Sequence, residues 1–224
     1  MLGNDISFPT KALPTICTQI DQGSIPAGAA TSMYGRIDWV LRKLKEMKAE
    51  RPGGGDFTIF HASRNSYDAQ SNFALIRHMY IGSEDTWLSN DYDLDHEESH
   101  AIVFDGSGHP VVSSAVNPLT VKIGSVSRVY FEGFCNALKS PTPDPRSGGA
   151  PQLLGLGSCG VGRHYGVKTV NGTFFQGRPV SFNNVPKETQ WRDEMFQPVG
   201  PDGPVMKNRR RKLIKGKKRP PKQL

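Results

Sequence analysis

The last eighteen residues, KNRRRKLIKGKKRPPKQL, determine where folding has to stop. Lys207, Arg209, Arg210, Arg211, Lys212, Lys215, Lys217, Lys218, Arg219 and Lys222 place ten basic side chains there without one acid. So dense a charge with so few apolar residues cannot bury enough surface to offset the entropy of ordering, and the segment is expected to be a disordered tail. The whole chain of 224 residues carries +7, with a pI near 9.4. Residues 1–206 hold 18 basic and 21 acidic residues, a net of −3. The basic character thus belongs to an appended polycation, and the folding unit before it is mildly acidic.

That unit is long enough for one core without disulfides or metals. Cys17, Cys135 and Cys159 form no CxxC pair, so neither a disulfide framework nor a cysteine zinc site is expected. The N-terminal residues do not read as a signal peptide, and no run approaches eighteen apolar residues. The expected location is cytoplasmic or nuclear, or both, in a reducing space. No cofactor or metal is expected.

Residues 1–30, rich in Pro, Gly, Ser and Thr, read as a flexible arm. From Thr31 or Ser32 onward, Ile37, Val40, Leu41, Leu44 and Met47 recur at helical spacing, and Arg51-Pro-Gly-Gly-Gly ends that helix. Phe57–His61 is β-branched and aromatic, hence a strand. A second helix is expected over Asp68–Tyr80 on Phe73, Ile76 and Tyr80. Glu84–Glu98 holds seven acids and no Lys or Arg, which suggests a solvated loop. His100–Asp105 and Pro110–Val116 flank Gly106-Ser-Gly108 as a hairpin, with strands at Thr120–Ile123 and Val126–Phe131. Tyr165–Val170 and Thr173–Gln176 form a hairpin turned by Asn171-Gly172. The expected fold class is α+β: a single domain at 31–197 with a mainly antiparallel sheet and at least two helices. The arm at 1–30 precedes it, and a linker and tail at 198–224 follow.

Phosphate recognition needs cationic donors, which the tail supplies, and its lack of aromatics removes any base-stacking platform. Nucleic-acid contact through it would be electrostatic and nearly blind to sequence. The clusters Lys207–Lys212 and Lys215–Lys222 also match a nuclear import signal. A capsid-like role, packaging nucleic acid with the tail, is a further alternative. Anionic membrane lipid is a weaker partner on the same charge argument.

In the body, Asp95-His-Glu-Glu-Ser-His100 spells HExxH, but the expected strand would hold the two histidines about 13 Å apart, too far to chelate one ion. Gly155, Gly157 and Gly160 formally match GxGxxG without the strand and helix that a dinucleotide site requires. His61-Ala-Ser-Arg64 suits an anion contact or, more commonly, a strand-end cap. Trp39 is expected to pack in the core. A fourth set comprises His100, Asn117 or Glu132, Gln152 and Cys159. A thiolate needs an imidazole, a group orienting that ring, and donors for an oxyanion. His164, five residues beyond Cys159, is an alternative base.

The segments SHAIVFDGSGHPVV and PQLLGLGSCG resemble the histidine strand and the Gln…Cys-Gly signature of adenovirus-protease-like cysteine peptidases and YopJ-type acetyltransferases. The resemblance covers two short places. It departs at Ala101, where those peptidases carry an aromatic residue, and after Cys159, where they begin a buried helix. It implies peptide hydrolysis or acyl transfer with Cys159 as nucleophile and His100 as base.

Overall fold

The computed structural model describes residues 2–3, 7–65, 73–94, 101–146, 148–157, 162–181 and 184–200. Within them the chain is α+β, with helices packed on two largely antiparallel sheets.

The best-patterned segment forms α3 (Met33–Ala49). Ser32 caps it, its Oγ accepting from the Gly35 N–H at 2.9 Å, which satisfies one of the donors that a helix start leaves open. Ile37, Val40 and Leu44 are buried on one face together with Met33 and Trp39. Trp39 is a core residue, as its position on the helix suggested. Lys48, in the last turn, is only 3 % exposed. Its Nζ donates to the Arg51 carbonyl at 3.1 Å and the Gly53 carbonyl at 2.5 Å, and stands 4.3 Å from the Tyr80 ring centre. One cation thus closes the helix end, where the macrodipole is negative.

The segment read as an arm contains α1 (Ser7–Asp21) and α2 (Ala27–Ala30). Phe8, Ala12 and Ile16 of α1 repeat every four residues and are buried. Pro9 falls in the first turn, where its missing N–H has no helical partner to lose. Pro14 lies on the exposed face. Neither proline breaks the helix.

The first sheet runs β1-β2-β3-β4, all antiparallel: β1 (Leu2–Gly3), β2 (Phe57–Arg64), β3 (Phe73–Ile81) and β4 (Thr86–Tyr92). The part of the expected helix at 68–80 that is described is β3. Ala74, Ile76, His78 and Tyr80 are buried in strict alternation, and the polar identity of His78 hid that period of two in the sequence. One sheet face meets α1 and α3 through Phe8, Phe57, Tyr80 and Trp87, whose neighbouring ring centres lie 5.2–5.4 Å apart.

The expected hairpin and strands between residues 101 and 131 are instead irregular chain followed by α4 (His109–Ile123) and α5 (Ser127–Leu138). Buried positions of α5 alternate (Val129, Phe131, Gly133, Cys135, Ala137), imitating a strand. The cause is burial on two sides. Gly133 meets α4 so closely that a Cβ there would lie 2.4 Å from Val116 Cγ2. Phe131 and Cys135 pack with Val167 of the second sheet.

That sheet comprises β5 (Leu153–Gly155), β6 (Arg163–Thr169), β7 (Gly172–Phe175), β8 (Arg178–Pro179), β9 (Trp191–Asp193) and β10 (Pro198–Val199). Its order is β10-β9-β6-β7-β8, with β5 also on β6. The β6–β7 hairpin turns at Val170-Asn171, one residue from the expected Asn-Gly centre. The β6–β9 pair is parallel, with Gly166 opposite Trp191. A Cβ at Gly166 would lie 2.2 Å from the indole, so only glycine lets the ring cross the strand.

Candidate functional site

Two arrangements join chemistry-bearing residues around β2 and β3. At the C-terminal end of β2, Arg36 of α3 donates to the Ala30 carbonyl at 2.8 Å and to the Arg64 carbonyl at 2.7 Å. Arg64 in turn donates from Nη1 to the Gly157 carbonyl at 2.5 Å. Gly157, two residues before Cys159 in sequence, is therefore tied to the first sheet. In His61-Ala-Ser-Arg64, the arginine donates to a backbone carbonyl 93 residues further along the chain.

Under α3, the register sets Ile59 opposite His78 and Ser89 opposite His78 on the other side. His61 lies on the same face, its ring centre 6.2 Å from that of His78. His78 is 1 % exposed, and its Nδ1 is 2.9 Å from Ser89 Oγ. His61 Nδ1 and His78 Nε2 are buried without a hydrogen-bond partner. Burial pushes the His61 imidazole down to about 4, helped by His78 and then Arg36. Burial also lowers His78, with Lys45 adding to the effect and Asp38 opposing it. Both rings are thus held neutral at neutral pH. His78 escaped notice in the sequence because only strand register pairs it with Ser89 and His61.

His100, Cys159 and the whole HExxH string lie outside the described residues. Asn117 is exposed on α4, a helix rather than the expected strand. Glu132 is on α5, where it pairs with Arg128 at 3.3 Å. Gln152 is exposed just before β5, with its side-chain amide against Gly177. His164 is exposed on β6, edge-on to Phe175 at 6.0 Å between ring centres. Contrary to expectation a strand does lead into the GxGxxG string, since β5 ends at Gly155. The next described element is the strand β6 rather than a helix, so the helix half of a dinucleotide frame is missing. The ten basic residues from Lys207 to Lys222 also lie outside the described residues.

Among the described residues, no three His, Cys, Asp or Glu side chains converge as metal ligands. No helix there is long and apolar enough to cross a membrane. No family model, no curated protein and no solved structure matches the chain.

Proposed function

We propose that the chain binds nucleic acid through residues 207–224, by backbone charge and without reading sequence. One observation carries this: ten basic residues and no acid in that segment, against a net −3 in everything before it. The separation of charge supports a polyanion as partner, because the positive charge that would attract one is concentrated in a single segment. The absence of aromatics in the segment supports phosphate contact over base stacking.

Fluorescence anisotropy with labelled single-stranded DNA and RNA tests the proposal. With six to eight phosphates engaged, log K should fall against log salt with a slope of about −5, alike for unrelated sequences. Deleting Lys207–Leu224 should abolish binding. Equal binding by the truncated chain would refute the assignment. Absence of binding combined with nuclear accumulation of a reporter fused to 207–224 would reassign the segment to an import receptor.

A second reading, acyl chemistry at Cys159, rests on the resemblance of PQLLGLGSCG to a Gln…Cys-Gly signature. The Arg64–Gly157 bond adds a guanidinium bound two residues earlier along the chain, and a cation that reached the thiol would favour the thiolate. The pH dependence of Cys159 alkylation tests it. An ordinary thiol profile, unchanged by Arg64→Gln, would exclude activation by this arginine.

A further inference from the structure

The face of α4 turned toward the chain after α5 is unfilled. Of its fifteen residues only Val116 is fully buried, although the helix is rich in valine. Beside it lies a cavity of about 370 Å³, within the range of small-molecule sites. Its apolar wall includes Phe104, Val112, Phe134 and Leu138, and His109 and Arg146 stand among its polar lining. The Phe104 and His109 rings are nearly parallel, 19° apart with centres separated by 5.9 Å, and give the wall a flat aromatic surface.

The charges are unevenly committed. Asp105 pairs with Arg77 at 2.9 Å and accepts from the Gly106 N–H at 2.7 Å. Asp144 accepts from the Ser107 hydroxyl at 2.7 Å. Among the described residues Arg146 makes no hydrogen bond or ion pair, and its guanidinium, with five donors, belongs to an exposed side chain lining this cavity. We infer that this cavity binds a small planar organic anion, its aromatic body on Phe104, Val112 and Phe134 and its acid group on Arg146. The Asp144 carboxylate in the same lining makes a singly charged acid a better fit than a polyphosphate, since like charges repel at close range. The inference is independent of the tail and survives its failure.

The test uses 8-anilinonaphthalene-1-sulfonate, a flat dye with one sulfonate, on the full chain in about 0.3 M salt to screen dye held by the tail. The neutral parent, N-phenyl-1-naphthylamine, is run in parallel. Saturable binding of one dye per chain is expected. Val112→Trp, which fills the cavity, should abolish binding of both dyes, and Leu138→Phe should weaken both if the first variant fails to fold. Arg146→Gln should weaken the sulfonate about fivefold and leave the neutral dye unchanged. Unsaturable binding, or equal binding by a folded cavity-filling variant, overturns the site. Equal sulfonate affinity in Arg146→Gln overturns the anion assignment.

Discussion

His78 on β3 stands directly opposite Ser89 on β4, with its Nδ1 2.9 Å from the serine hydroxyl and its Nε2 buried without a partner. A neutral imidazole fits this setting and a charged one does not, because the second proton would enter a dry space beside His61.

Stability should therefore depend on pH in a defined window. His61 binds its proton near pH 4 when folded, against 6.5 for the free side chain. The unfolded chain takes up the proton first as pH falls. Stability is thus full above about pH 6.5 and declines toward about pH 4, by about 3 kcal/mol for His61 alone. Urea unfolding at about pH 7 and about pH 4.5 measures the drop, and His61→Phe should shrink it by most of that amount. An equal drop in the variant would show that the carboxylates, and not this pair, set the acid sensitivity.

Lys48→Met should lower stability by about 2–4 kcal/mol. The methionine keeps the apolar stem but strands the Arg51 and Gly53 carbonyls and removes the cation over Tyr80. Because the groups left unpaired are backbone acceptors, Lys48→Arg, which restores a cationic donor, should recover part of the loss. A Met variant with the wild-type urea midpoint would contradict this role.

Gly133→Ala tests the crossing of α4 and α5. Alanine gains about 1 kcal/mol of helix propensity. Its Cβ, however, would sit 3.0 Å from Val116 Cα, a backbone atom that no rotamer change can move. Overpacking of about 1–3 kcal/mol should win, giving net destabilisation. A stabilised variant would mean that the helices slide apart freely.

Thiol labelling separates two cysteines. Burial pushes the Cys135 thiol up to about 12, with Glu194 adding to the rise, whereas Cys17 is exposed on α1. In a Cys159→Ser background, iodoacetamide at neutral pH should modify Cys17 in the folded protein. Cys135 should react only after denaturation, because the thiolate is the nucleophile. A Cys135 adduct on the native chain, located by mass spectrometry, would disprove its burial.

What could be read from the sequence follows from where each element meets its neighbours. The helix α3 and the β6–β7 hairpin were visible because each carries its own signal: a one-sided apolar stripe with a Ser cap, and a turn dipeptide. In α5 the period vanished because α4 and the second sheet bury opposite faces, and in α4 the valines suggested strands while packing across Gly133 favoured a helix. The prolines within residues 1–30 counted toward a flexible arm because a sequence does not reveal which position falls in a first turn, as Pro9 does, or toward solvent, as Pro14 does. The charge segregation at Lys207–Lys222 needed only counting. The His61–His78 pair and the cavity at Phe104 needed strand register and helix packing, which no local pattern contains.

The element order has a kinetic consequence. β1 to β4 and α1 to α3 use only residues 2–92, whereas the parallel β6–β9 pair waits for Trp191 and the sheet closes only with Val199. Contacts between neighbours in sequence form sooner than those that span long loops. A chain emerging from its N-terminus can complete the first layer while the second is still unmade. Refolding followed by fluorescence should then resolve an early phase from Trp39 and Trp87 and a later one from Trp191.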